Sequence, residues 1–215
     1  MNTNRACYSA RLVFNSALID KGWQSDVNLY QHFYGQFVET EQDVFDPEHV
    51  YLMDFRMPNR QAVQFGYLLP FSKRKALVEY TEFSQQQHTS IIYQILLSEY
   101  LTELNVGPFK LLEEECGAIP MTGYQFSQSG GDYIINLGTA GGMTKPTTGY
   151  TFRSIQVDSR KIVSSLKMGL KSPDRKLTKQ RFSFYDRLLL GIIKEEPQKV
   201  KKIMHRLFKR TDLRR

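Results

Sequence analysis

The sequence predicts an α+β fold, and three observations carry that expectation. Residues 28–83 hold a run of short segments of alternating polarity, broken by turn-forming residues, which is the pattern of an antiparallel meander. A stretch of helical periodicity follows at 89–104. A glycine-rich turn then stands between a short apolar run and further helices, the last two of them basic and amphipathic.

The elements read in order as follows. Residues 8–14 (YSARLVF) form a strand ending at Asn15 and Ser16. Residues 28–40 alternate well enough for a second strand. After a loop with Asp46 and Pro47, strands are predicted at 50–55, 61–69 and 75–83, separated by Pro58-Asn59 and by Pro70-Phe71-Ser72. The helix at 89–104 places Ile92, Ile95 and Leu96 on its apolar stripe, with a further set around Tyr100 and Leu104, and Thr89 or Ser90 as its cap. Residues 107–121 read as a strand running into a turn, and 132–137 (DYIINL) as a short buried strand. A helix reaches to about Gly169, and two more span 178–194 and 197–210, with Pro197 well suited to a helix start.

Composition narrows the class. With 215 residues, 41% of them hydrophobic, the chain can bury a core, as one large domain or two small ones, and a disordered class is excluded. Charge is uneven. Residues 171–215 hold 15 Lys/Arg against 5 Asp/Glu, whereas the other 170 hold 14 against 17. A mildly acidic body therefore carries a basic tail, which fits either an anionic lipid surface or a solvated helical tail. Nucleic acid is not expected, since the charges sit on amphipathic helices without a reading motif. Cys7 and Cys116 form no CxxC, which fits a reduced compartment and no disulfide. His32, His49, His88 and His205 have no ligand spacing, so no metal is expected. No apolar run approaches the ~18 residues of a spanning helix, so membrane contact is expected to be peripheral.

The segment from Asp132 to Tyr150 is strand, glycine turn, helix. Such a turn points backbone amides outward and lets a phosphate or a flat ring approach closely, and Thr139, Thr147 and Thr148 can add hydroxyls. By residue type alone an ordinary glycine-rich turn fits as well. The string GTAGGMTKPTTGYTF at 138–152 resembles the second flavin-binding motif of lycopene cyclases. In the wider flavin hydroxylases an Asp follows the first glycine; Thr139 stands there, as in the cyclases. The resemblance implies that Gly138, Thr139, Ala140, Gly141, Gly142 and Met143 line FAD. It also implies that Pro146, Thr147, Thr148 and Gly149 shape the entry to the helix. None of the 14 glycines falls in a GxGxxG spacing. With a strand so close to Met1, a chain that starts in mid-domain is the expectation.

The string YLLPFSKRKALVEYTEFS at 67–84 resembles the same family's signature strand pair, and the family's essential acid falls on Glu79. Alternation puts Leu77, Glu79 and Thr81 on one face and Val78, Tyr80 and Glu82 on the other. Alone, one glutamate on a strand is more often solvated; the surrounding match favours a buried acid. VFDPEHVYLMDFRMPN at 44–59 and LLEEECGAIPM at 111–121 resemble two further family segments. Asp54 and Arg56 are expected on one sheet face, either bracing a cavity or forming a surface pair, and Glu113, Glu114 and Glu115 are candidates for supporting roles. The tail at 181–210 is also similar to the family's C-terminal region. It carries Phe184, Leu188 and Ile192 on one stripe, and Val200, Ile203, Met204, Leu207 and Phe208 against a Lys/Arg face, an interfacial-helix pattern.

The resemblance implies an antiparallel substrate domain at 27–125, parts of a Rossmann-like FAD domain at 1–26 and 126–170, and a helical tail at 171–215. It implies a β-cyclase acting on lycopene or another acyclic carotene, with reduced FAD, NAD(P)H as reductant, and a peripheral place on the cytoplasmic side of an anionic membrane. The alternatives are a prenyl-lipid flavin reductase or hydroxylase, and an inactive membrane-binding piece of a cyclase.

Overall fold

The computed structural model describes residues 9–18, 22, 27–57, 61–169, 175 and 180–210. The turn expected at Pro58-Asn59 and the start of the helix expected at 178 lie outside them. The chain divides into two compact units, one from residues 1–27 and 122–187, the other from 28–121 and 188–215. The architecture is α+β, as the alternation predicts.

The first unit is built on a three-stranded sheet. Strand β1 (Val13–Asn15) pairs in parallel with β8 (Ile134–Asn136), which pairs antiparallel with β7 (Ser129–Gly131). The strand expected over 8–14 is therefore shorter, because its three-residue partner gives residues 9–12 nothing to pair with; Tyr8 lies outside the described residues. A 3-10 turn (Gly138–Gly141) follows β8, and helix α2 (Phe152–Lys167) follows the glycine loop.

The second unit is a five-stranded antiparallel sheet of order β3-β4-β5-β2-β6, with β2 Val27–Thr40, β3 Tyr51–Asp54, β4 Val63–Pro70, β5 Lys75–Ser84 and β6 Phe109–Thr122. The turn expected within 107–121 is absent; β6 runs straight through it as an edge strand, where Pro120 is tolerated. The central register pairs Glu79 of β5 with Gly35 of β2 on one side and with Tyr67 of β4 on the other.

One face of this sheet is covered by helix α1 (Ser90–Glu103), whose Tyr93, Leu96, Leu97, Tyr100 and Leu101 pack on Tyr34, Val38, Leu68, Val78 and Tyr80. The expected stripe is displaced: Ile92 and Ile95 are exposed at 42% and 53%. Apolar residues occur on more than one side of α1, so periodicity alone could not choose the face. Size decided it, since the Tyr100 ring lies over Gly66, where a Cβ would come within 2.1 Å of the ring.

On the opposite face, Leu29, Val63, Phe65, Phe83 and Met121 pack with Leu190 and Ile193 of α3 (Gln180–Glu195) and with Val200 and Met204 of α4 (Pro197–Arg210). The basic tail thus contributes to this core. Of its two predicted stripes, Val200 and Met204 are buried, whereas Phe184, Leu188, Leu207 and Phe208 are exposed. No described helix is long and apolar enough to cross a membrane.

Candidate functional site

Glu79 lies in the middle of the central strand of the second unit. On its face of the sheet, β5 supplies Leu77 and Thr81, β2 supplies Phe33, Gly35 and Phe37, and β4 supplies Phe65, Tyr67 and Leu69. This is an apolar platform with one carboxyl at its centre. Thr81 donates a hydrogen bond to Glu79 Oε1 at 2.6 Å. Burial pushes the Glu79 pKa up to about 7, a rise that the Thr81 bond opposes and the nearby Glu115 charge adds to. Glu79 therefore holds a proton near neutrality. Tyr67 beside it is pushed up to about 12 by burial and by the Glu79 charge, so its phenol stays neutral.

The three adjacent glutamates of β6 separate by alternation. Glu114 accepts a short hydrogen bond from Tyr34 and another from Gln36 at 3.2 Å, on the α1 side. Glu115 points to the Glu79 side, where its side chain lies over Gly35. Asp54 and Arg56 do form a pair, with Arg56 Nε at 2.8 Å and Nη2 at 2.5 Å from Asp54 Oδ2. They do not share a strand face, because β3 ends at Asp54 and Arg56 sits in the turn. Tyr100 of α1 also donates to Asp54 Oδ2 at 3.0 Å. Burial works against the Asp54 charge, but the Arg56 and Tyr100 bonds outweigh it and lower its pKa.

Sequence reasoning missed a second polar cluster, beneath α1. Glu82, 3% exposed, accepts hydrogen bonds from Tyr80 (a short one), from Gln64 at 2.8 Å and from His88 at 3.0 Å. Burial opposes its charge, and these three donors overcome it. His32 is fully buried, with Nδ1 2.7 Å from the Tyr93 hydroxyl and Nε2 2.7 Å from Ser84 Oγ. Burial drives its pKa down to about 4, so the ring is neutral. The alternation of β5 placed Glu82 and Ser84 on this face, but Tyr93 reaches them from the packed α1 and His88 from the connection before it.

In the first unit the glycine turn has the backbone its sequence demands. Gly138, Gly142 and Gly149 have φ of 56°, 76° and 66°, the left-handed region that favours glycine. A Cβ on Gly141 would stand 2.4 Å from the Asn136 carbonyl oxygen, so only glycine fits. Thr139 is linked through Thr144 to Thr151 by hydroxyl contacts of 2.8 and 3.1 Å. Ala140 and Met143 are buried beneath the turn. Of the residues expected to shape the helix entry, Thr147 is fully buried and donates to Asp186 of α3 at 3.1 Å. Thr148 accepts from the Tyr150 amide at 3.4 Å, while Pro146 lies half-buried between Lys145 and Thr147.

Arg175, also unanticipated, fastens this region. It is 4% exposed and binds Asp158 of α2 at 2.5 and 2.7 Å, the Asn136 carbonyl at 2.7 Å and the Gln128 carbonyl at 2.9 Å. The bare glycine backbone and the threonine hydroxyls of this turn suit the close approach of a flat, polar-edged ring.

Among solved structures, a geranylgeranyl bacteriochlorophyll reductase-like protein from Thermoplasma acidophilum aligns with a TM-score of 0.53 at 13% identity, over 85% of this chain and 46% of its own. A flavin-dependent halogenase, BrvH, from a Brevundimonas species aligns at 0.41 with 18% identity, over 86% of this chain and 33% of its own. A tryptophan halogenase from Shewanella frigidimarina aligns at 0.39 with 15% identity, over 81% and 29%. The chain thus spans about half the length of the reductase-like protein or less of the others, and at these identities the first likeness shows shared fold alone. No curated protein matches. The match that identifies the chain is to the family described as lycopene cyclase protein, and because it runs over residues 2–211 the chain belongs to the lycopene cyclase family.

Proposed function

We propose that the protein closes rings at the ends of an acyclic carotene, lycopene in the first instance, by acid-initiated and redox-neutral cyclisation to β-rings. The observation that carries this reading is a carboxyl held neutral on an apolar sheet face. Glu79 keeps its proton to about pH 7, and its cross-strand and same-strand neighbours are Tyr67, Gly35, Leu77 and Thr81. A carbon–carbon double bond is a weak base, so only a neutral acid in a water-poor, apolar setting can protonate it.

Glu79 gives its proton to the terminal double bond, and a tertiary cation forms. The next double bond along the chain attacks it, closes a six-membered ring and leaves a tertiary cation within the ring. Loss of a proton from the ring restores a double bond, so atoms and electrons balance without net oxidation. Tyr67 and Phe33 stand on the same sheet face as the acid, and aromatic faces stabilise a passing cation. Gly138, Thr139, Ala140, Gly141, Gly142 and Met143 are the residues that would hold FAD. In its reduced form, regenerated by NAD(P)H, FAD would supply negative charge that favours a developing cation.

Family membership and the exposed Lys/Arg face of α4 support a peripheral place on the cytoplasmic side of an anionic membrane, where the substrate is dissolved. The decisive test is to supply the protein with FAD, NADPH and lycopene and to weigh the product. Cyclisation leaves the mass unchanged, whereas a reductase or hydroxylase would add hydrogen or oxygen. Glu79→Gln should abolish ring formation and leave flavin retention intact. Ring formation at the unsubstituted rate would remove Glu79 from the mechanism.

A further inference from the structure

Cyclisation begins with a proton given and ends with a proton taken, and the two events occur at different carbons. The acid is accounted for above; the acceptor is not. Strands β5 and β6 stand two strand spacings apart, about 10 Å, with β2 between them. At most positions a β2 side chain would fill that gap. Opposite Glu79, however, β2 has Gly35. The side chain of Glu115 occupies the vacated space, since a Cβ on Gly35 would lie 3.1 Å from Glu115 Cγ, 3.2 Å from its Oε1 and 3.2 Å from Leu77 Cδ1. Phe33 and Phe37 flank the notch on the same strand and face. Glu114 is excluded from it, because it is engaged by Tyr34 and Gln36 on the other side of the sheet.

We infer that Glu115 is the carboxylate that receives the proton released as the ring closes, and that Gly35 is the gap that lets it lie beside Glu79. This rests on the cyclase reading above. The two carboxyls divide the work by environment. Glu79 is mostly buried and holds a proton; the Glu115 side chain is exposed to water. The Glu79 proton goes to the chain end and leaves Glu79 as a carboxylate. The ring proton goes to Glu115. Transfer from Glu115 to Glu79, directly or through water, restores both. Nothing is oxidised or reduced.

The experiment is cyclisation of lycopene in heavy water by the full protein with FAD and NADPH, reading deuterium in both the ring product and the recovered lycopene. In Glu115→Gln, protonation of the chain end still occurs, but the cation lacks its base and reverts. Ring formation should fall about 100-fold or more, while recovered lycopene gains deuterium at its chain ends. Glu115→Asp should restore part of the ring formation. Equal loss of ring formation and of exchange in Glu115→Gln would make Glu115 only a support for Glu79 and overturn the inference. Unchanged ring formation would overturn it too. Failure of the cyclase reading looks different: the unsubstituted protein would make no ring, or Glu79→Gln would still make rings and exchange deuterium.

Discussion

Glu79 stands directly opposite Gly35 in the antiparallel register of β5 and β2. A carboxyl in the middle of a sheet is ordinarily screened by the side chain across from it. Here the neighbour has none, so the groups that face Glu79 are Tyr67 from β4, Thr81 from its own strand and Glu115 from β6. Only Thr81 stabilises the charged form.

This arrangement makes Glu79 a measurable load on stability. Burial raises its pKa from 4.5 to about 7, so between these values the folded form holds a proton that the unfolded chain has released. The contribution of Glu79 alone is most favourable below about pH 4.5, declines as pH rises, and is lower by roughly 3 kcal/mol above about pH 7. Glu79→Gln removes the titration. Denaturant unfolding should show the variant close to the unsubstituted protein at pH 4.5 and more stable at pH 8. The general-acid rate should fall on the same alkaline limb, centred near pH 7. A pH-independent stability difference would mean that Glu79 is ionised in the fold.

The glycine turn gives a prediction that separates flavin retention from folding of the sheet unit. Gly141→Ala drives a Cβ to 2.4 Å from the Asn136 carbonyl oxygen, and backbone cannot step aside as a side chain could. The turn must open, at a cost of about 1–3 kcal/mol. Flavin absorbance recovered with the purified protein should drop sharply. Gly107→Ala is the control, since its φ of 71° strains the backbone of an added alanine but nothing lies within 4 Å of the added carbon. Equal flavin content in both variants would exclude the 138–143 turn as the holding element.

Much of this was legible in the sequence, and the parts that were not share a cause. Period-two alternation located β2, β4 and β5 to within a residue or two, and it put Glu79 and Glu82 on opposite faces, because strand geometry depends only on the chain itself. The glycines at 138, 141, 142 and 149 announced a turn that only glycine can make. What stayed hidden depends on neighbours distant in sequence. The buried face of α1 was set by Tyr100 fitting over Gly66, and the His32–Tyr93 contact spans two elements. Arg175 sits in a run of lysines and arginines, and nothing in its spelling distinguishes the one that is buried.

Arg175 is therefore the sharpest test of what holds the first unit together. Its guanidinium joins Asp158 to the carbonyls of Asn136 and Gln128, so removing it strands a buried carboxylate and two acceptors. Arg175→Met should cost about 3–5 kcal/mol. Removing the orphaned charge as well, in Arg175→Met with Asp158→Leu, should recover part of that loss. Urea unfolding followed by flavin release would read the effect. Additive losses in the double variant would mean that the pair is not coupled.

The last prediction concerns the basic tail. Val200 and Met204 are buried in the sheet unit's core, which fixes the orientation of α4. Lys202, Arg206 and Lys209 are then turned to solvent, together with Leu207 and Phe208, which are 53% and 42% exposed. Lys201 does not belong to this group, since it donates to the Phe55 carbonyl at 2.8 Å. A basic residue near an anionic bilayer contributes about 1 kcal/mol. Replacing Lys202, Arg206 and Lys209 by Gln should therefore weaken binding to phosphatidylglycerol vesicles by about 100-fold. Binding should also weaken with salt in the unsubstituted protein and much less so in the variant. Leu207→Ser with Phe208→Ser should weaken binding to anionic and neutral vesicles alike, because those side chains contribute apolar burial rather than charge. If neither set changes vesicle binding, α4 serves the core alone and the proposed membrane contact through it is wrong.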